Sequence, residues 1–422
     1  MQNSNEDHRQ QWQPPQRPDW VERINEEGKC MDISGVVPLD ENSLLESAFR
    51  STGLSDFGAD DWREPFRVFI KALEAEADLN LMGRIRTRSE ILMLLEARLQ
   101  IEETYKQHPE IENEKIVQPF VVIGQGRSGT SFLFNVLAAN PENGALRQWE
   151  AMFPCPPPEQ ASYTTDPRIE KADKLVTQAY RVTPTMASMF EFGANVPMED
   201  CAILAINFMS TSWMGQMGQV ASYDAFMATQ DITPGLRYHQ RVLKLLQWKN
   251  PRTRWVLKDP IHLDRLAAIL TVYPDACFIW PHRDPVRALA STVSLVGTAH
   301  WGRSDHVFKN GAYAFVTDPM YSAQRLDNVI EQIESGSVAP KQIYNLLYKN
   351  LVGNTIATLE AMYRHFGIIL SNEGRAGMQR YLTDHPREQR PPHKFNVGSE
   401  AVVTTARQAY QRYQDYFGIP SD

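Results

Sequence analysis

Between Gly124 and Ser131 the chain reads Gly-Gln-Gly-Arg-Ser-Gly-Thr-Ser, setting three glycines, three hydroxyls and one arginine in eight residues. Residues of these types at this density suit an anion. Hydroxyls and a guanidinium fork donate to oxyanions, and glycines let backbone N–H groups approach closely. The spacing is near that of the nucleotide-triphosphatase loop G-x-x-x-x-G-K-S/T. The lysine is missing: Thr130 stands where it would reach the terminal phosphates, and the fixed cation is Arg127, three positions earlier. Such a loop grips a phosphate but lacks the group that triphosphate chemistry normally uses.

Two further stretches carry charge at the end of an apolar run. From Cys277 the chain reads Cys-Phe-Ile-Trp-Pro-His-Arg-Asp-Pro, with Arg283 at the exit and Ser291 eight residues on. About two helical turns separate them, so both could touch one phosphate. Asp284-Pro285 is also an ordinary helix start, with Asp284 as the cap. Val256-Leu257-Lys258-Asp259-Pro260 puts Lys258 at the end of another run.

Together these stretches resemble the sulfotransferases that use 3′-phosphoadenosine 5′-phosphosulfate (PAPS), in particular the bacterial type, with motifs similar to those of tyrosylprotein sulfotransferases. The likeness runs from about Gly53 to the C-terminus. It implies that Arg127, Ser128, Gly129, Thr130 and Ser131 hold the 5′-phosphosulfate and that Arg283 and Ser291 hold the 3′-phosphate. By the same likeness Tyr348 joins the nucleotide site, and His393 and Lys394, in Pro-Pro-His-Lys-Phe, belong to a basic loop that closes over it. Lys258 would face the bridging oxygen of the leaving group. Glu150, in Trp149-Glu150, falls where related enzymes have a glutamate acting as base, and is the expected catalytic base. His239, His262, His282 and His300 are the alternatives, His282 first among them. The acidic pair Glu199-Asp200 is expected to cap a helix, with reach to the acceptor as the alternative. In-line displacement by positioned cations requires no metal.

These groups need a scaffold. Phe120 to Ile123, before the glycine loop, is β-branched and apolar, and Phe132, Val136 and Leu137 after it have helical spacing, which predicts strand, tight loop, helix. Further strands are expected at Arg254 to Leu257, Cys277 to Pro281 and Gln342 to Tyr344, each followed by an amphipathic helix: Leu263 to Tyr273, Val286 to Val296 and Thr355 to Phe366. The pattern predicts an α/β fold, a parallel P-loop-like sheet flanked by helices, with an N-terminal helical subdomain and a helical insertion. Residues 1–37 read as a disordered or loosely packed tail, 38–112 as the helical subdomain and 113–422 as the sulfotransferase domain, its insertion at about 160–250. In the subdomain, Phe66, Ile70, Leu73 and Ala77 share one helical face, and Thr87-Arg88-Ser89-Glu90 reads as the capping box of a second helix.

Composition bounds the rest. A net charge of −8 over 422 residues argues against nucleic acid as a partner. Cys30, Cys155, Cys201 and Cys277 have neither disulfide-framework nor metal-ligand spacing. No apolar signal core opens the chain, and a cytoplasmic protein is expected. Cys201 to Tyr223 carries no charge, but its amides and hydroxyls favour a buried helix or pocket wall over a membrane span. Met186, Met189, Phe190, Met198, Trp213 and Met217 stand out among many thioethers and rings here; such a stripe is more often core than pocket, yet adaptable methionines would suit a flat, greasy acceptor. The expected function is transfer of a sulfuryl group from PAPS to a hydroxyl of a small, apolar acceptor. A nucleotide-triphosphate-dependent kinase and a non-catalytic nucleotide-binding scaffold are the alternatives. Oligomeric state and acceptor identity stay open.

Overall fold

Strand β1 (Phe120–Val122) is buried on both faces, as a central strand of a helix-covered parallel sheet must be. It pairs in parallel with β3 (Arg254–Lys258) on one side and β4 (Cys277–His282) on the other. β2 (Asn143–Ala145) and β5 (Ile343–Leu347) complete a five-stranded sheet in the order β2-β3-β1-β4-β5. The structure, a computed structural model, describes residues 12–308, 317–386 and 396–421. His393 and Lys394 lie outside these residues.

Alternation of side chains along each strand divides the core in two. Val121, Leu257, Phe278 and Trp280 face one layer, where they join Phe66, Leu95 and Ile203 from helices outside the strand–helix repeat. Phe120, Val122, Val256 and Ile279 face the other, against Leu133 and Val136 of helix Thr130–Ala138 and Leu359 and Met362 of helix Thr355–His365. Burying each such side chain contributes about 1.5–3 kcal/mol.

The expected strands and their following helices are all present. β2 was not foreseen, because Asn-Gly-Ala has no β-branched residue to mark it. Helix Leu81–Gln107 starts earlier than the Thr87 box suggests: Asn80 caps it by accepting from Gly83 N–H at 2.9 Å, and Thr87 is a buried mid-helix residue that donates to the Met217 carbonyl. The stretch up to Val37, expected to be disordered or loosely attached, is anchored at a few points between Arg17 and Gly28, while most of Lys29 to Val36 is exposed. Arg17 is buried and donates to the Trp301 and Ser304 carbonyls and to Asp305, and helix Asp19–Gly28 buries Val21. Polar and proline-rich composition hid an anchor made of few residues. The uncharged Cys201 to Tyr223 forms helices Cys201–Ile206 and Thr211–Met217 and the start of a third, with most of its side chains buried. Among the described residues, no helix is long and apolar enough to cross a membrane.

Candidate active site

The three adjacent strands β3, β1 and β4 run in one direction, so their carboxyl ends open onto the same rim, where open parallel sheets take ligands. β1 leads into the glycine loop. Arg127 and Gly129 both adopt the left-handed conformation, with φ of +68° and +101°, which turns the chain sharply into helix Thr130–Ala138. The N-cap position of that helix is Gly129, which has no side chain to accept from the first-turn N–H groups. Those donors and the positive end of the helix dipole therefore point into the cleft. A Cβ on Gly129 would stand 2.5 Å from the Tyr348 ring, so the loop and the residue after β5 are in direct contact.

β4 leads to Arg283, whose Nη1 donates to the Arg127 carbonyl at 3.2 Å and whose guanidinium lies 4.7 Å from the Tyr348 ring centroid. Asp284 does cap the following helix, Pro285–Trp301, by accepting from Val286 N–H. Ser291 lies on that helix and accepts from Arg127 Nε at 3.0 Å. The sheet thus brings Arg127, Gly129, Arg283, Ser291 and Tyr348 into one group. Burial pushes the Arg127 guanidinium below its ordinary range, and the neighbouring charge of Arg283 adds to this. Two polar atoms in the group, Ser128 Oγ and Arg283 Nε, are buried without a partner, which is costly unless a ligand supplies one.

β3 ends in Lys258, which is 4% exposed. Its ammonium forms an ion pair with Glu199 and lies 3.3 Å from Ser131 Oγ. Glu199 is held there by its neighbour. Asp200 N–H donates to the Lys258 carbonyl, and the Asp200 carboxylate accepts from Lys258 N–H at 2.5 Å. The same carboxylate meets His262 Nε2 at 2.6 Å, with His239 Nε2 3.2 Å away. Burial would push the Asp200 carboxyl up, but the two histidines outweigh it and hold the group below the usual carboxylate range. Burial pushes Asp259 the other way, up to about 6, with Asp200 and Glu199 adding to the effect.

Beside these groups lies a cleft of about 1090 Å³, its open mouth included, lined by Arg127, Thr130, Ser131, Glu199 and Lys258 on one wall. Met186, Phe190, Ile261, Leu295 and Val296 supply the apolar part of its lining. The profile of the sulfotransferase family matches residues 119–372, more than half of the 422-residue chain.

The chain belongs to the sulfotransferase family. It is an enzyme of that class, and its fold is the family's P-loop-like one. Among solved structures, this sulfotransferase is similar to sulfotransferase STF1 from Mycobacterium tuberculosis, with 28% identity, 88% of this chain and 98% of that chain covered, and a TM-score of 0.73. Its fold is also that of STF9 from Mycobacterium avium, at 22% identity, 90% and 97% coverage and a TM-score of 0.75. It is 22% identical over 296 residues, 68% of this chain and 72% of the relative, to omega-hydroxy-beta-dihydromenaquinone-9 sulfotransferase Stf3 from Mycobacterium bovis and from Mycobacterium tuberculosis.

Of the expected residues of the sulfotransferase, Arg127, Thr130, Ser131 and Lys258 line the cleft, Arg283 and Ser291 adjoin it through Arg127, and Glu150 stands apart from this group. Glu150 is fully buried: one oxygen accepts from Arg147 N–H at 2.8 Å and the other pairs with Arg252 at 3.1 Å. Burial pushes its carboxyl up while Arg252 opposes that. It accepts from the N-cap N–H of helix Gln148–Met152 and ties that helix to the lead-in of β3 through Arg252, and it does not line the cleft. Among the histidines, burial pushes His282 down to about 3, between Tyr413 and Asn345, and His262 and His239 are buried on Asp200. His300 lines the cleft, with Nε2 on the Gly215 carbonyl at 2.6 Å and burial pushing it down to about 4. Glu199, expected to cap a helix together with Asp200, reaches the lysine instead. Asp200 stands at the N-cap without a side-chain cap bond. The signal in the sequence was the acidic pair opening an uncharged stretch. The thioether and ring stripe divides: Met186 and Phe190 line the cleft, while Phe208, Met214 and Met217 are core.

Proposed function

We propose that this sulfotransferase moves the sulfuryl group of PAPS to the hydroxyl of a small, largely apolar acceptor. The observation that carries the reading is the hydrogen bond from Arg283 Nη1 to the Arg127 backbone carbonyl at 3.2 Å, which sets the Arg283 charge beside that of Arg127. Two like charges brought together at a cleft, with an unpartnered hydroxyl and an unpartnered guanidinium N–H among them, suit a ligand with anionic groups at two positions. A nucleotide phosphorylated at both the 3′ and 5′ ends is such a ligand. The glycine loop with Arg127, Ser128, Gly129, Thr130 and Ser131 would hold the 5′-phosphosulfate, and Arg283, Ser291 and Tyr348 the 3′-phosphate side.

Within this reading Glu199 takes the acceptor proton. The acceptor oxygen forms a bond to sulfur as the bond from sulfur to the 5′-phosphate oxygen breaks, and adenosine 3′,5′-bisphosphate leaves. Lys258 neutralises the charge that collects on the departing oxygen. The apolar lining supports a greasy acceptor, and the name of the Stf3 relatives, which specifies an omega-hydroxylated menaquinone, fits an alcohol on such a molecule.

Thermal-shift titration tests the donor. Adenosine 3′,5′-bisphosphate is expected to raise the melting temperature well above the effect of 5′-AMP, because ligand binding to the native state stabilises it. An equal or larger shift with magnesium-ATP, and none with the bisphosphate, would refute the reading.

A further inference from the structure

Past Met186, Gln216 and Ala299, which line both, the cleft adjoins a second hollow of about 490 Å³. Its polar end is built from Arg86, Thr183 and Arg303. The two arginines there differ in how they are neutralised. Arg303 forms a two-pronged pair with Glu90 at 2.6 and 2.8 Å. Arg86 has only a long contact, 3.4 Å, from Nη1 to the Gly302 carbonyl, and no carboxylate among the described residues is within ion-pair reach of it. Thr183 is 7% exposed, and its Oγ1 is buried without a hydrogen-bond partner.

The weakly bonded Arg86 Nη1 and the unpartnered Thr183 Oγ1 lie close together. A methyl group added to Gly302 would lie 2.3 Å from Thr183 Oγ1 and 3.2 Å from Arg86 Nη1, so both atoms pack against the bare glycine and lie near each other at the polar end of the hollow. Burial pushes the Arg86 guanidinium down to about 10, with Arg303 adding to it, and it stays charged at neutral pH. The sides of the hollow are apolar, with Tyr180 edge-on to Phe192 at 4.1 Å. A half-buried guanidinium without a carboxylate partner, beside an orphan hydroxyl, is relieved by an anion that takes both donors.

We propose that the acceptor carries an anionic head at the end opposite its hydroxyl, bound by Arg86 and Thr183, with an apolar stem running past Met186 and Ala299 to Lys258. This names the acceptor class of the sulfotransfer reading and rests on it. Arg86 is then the specificity-determining residue: it selects an amphipathic hydroxy acid or hydroxyalkyl phosphate over a neutral alcohol.

Calorimetric titration tests this on the full chain with adenosine 3′,5′-bisphosphate present, using 12-hydroxydodecanoate, its methyl ester and 12-hydroxydodecyl phosphate as probes. The carboxylate, the phosphate or both are expected to bind about tenfold or more tighter than the ester, and the comparison between them tells which head fits. Arg86→Gln should bring acid and ester to within about twofold of each other while leaving ester affinity unchanged, and Thr183→Val should narrow the gap by about threefold or more. Equal binding of acid and ester to the wild type, no binding by any probe, or an advantage that survives Arg86→Gln would overturn the proposal. Titration of the bisphosphate alone on the same protein reads the donor assignment separately, so one can fail while the other stands.

Discussion

Arg127 Nε donates to Ser291 Oγ at 3.0 Å across 164 positions of sequence, joining the loop after β1 to the helix after β4. Arg283 completes the group through the Arg127 carbonyl. Arg283→Ala is therefore expected to weaken adenosine 3′,5′-bisphosphate by about tenfold to a hundredfold while changing 5′-AMP affinity little, because only the former carries the second phosphate. Titration calorimetry with both nucleotides checks this. Equal losses for the two would remove Arg283 from the 3′-phosphate.

Glu199 and Glu150 separate by what they touch. Glu199→Gln should lower turnover by roughly two to four orders of magnitude with bisphosphate affinity nearly intact. Glu150→Gln weakens a buried pair with Arg252, so it should lower the melting temperature and leave turnover per folded molecule within about threefold. Steady-state kinetics beside thermal denaturation distinguish them, and the reverse pattern would return the base to Glu150.

Gly129 combines a left-handed φ of +101° with the Tyr348 ring where its Cβ would go. Gly129→Ala is expected to cost about 1–3 kcal/mol in stability and most of the bisphosphate affinity. Adding Tyr348→Ala removes the clash but not the strained φ, so the double variant should recover stability only in part. Chemical denaturation of the two proteins gives the comparison.

Burial pushes Asp224 up to about 7, helped by Glu76, and its Oδ1 has no partner. With an unfolded value near 3.9, the native chain holds a proton between about pH 4 and 7 that the unfolded chain has lost. Stability from this group therefore falls as pH rises through that window and levels off above it. Asp224→Asn should flatten part of the decline in melting temperature from pH 5 to pH 8 and raise it at pH 8 by about 2 °C or more. An unchanged slope would show that Asp224 does not titrate in this window.

The sheet was legible where burial on both faces left continuous apolar runs, as at Phe120 to Val122 and Cys277 to His282. It was illegible at Asn143 to Ala145, where only pairing to β3 makes a strand. Arg127, Lys258 and Arg283 could be found because Lys258 ends β3, Arg283 follows β4 and Arg127 lies in the loop that leaves β1, so nearness in sequence to a strand end places them on the rim. Glu199 could not be ranked in this way. It meets Lys258 from 59 positions away through the Asp200 lacing, and nothing local marks that. Glu150 shows the converse: an aromatic neighbour signals burial but does not tell a cleft wall from a structural pair with Arg252. Arg86 left no motif, since its meaning lies in the missing side chain of Gly302 far along the chain.

The ion pair of Lys258 with Glu199 means that the resting enzyme acts as its own counterion. On the proposed roles, the carboxylate stays engaged by the ammonium until a more strongly charged visitor draws the lysine off. The nucleotide would then be the key and the alcohol the second to enter, so that an ordered kinetic scheme follows from two side chains that satisfy one another in the absence of either substrate.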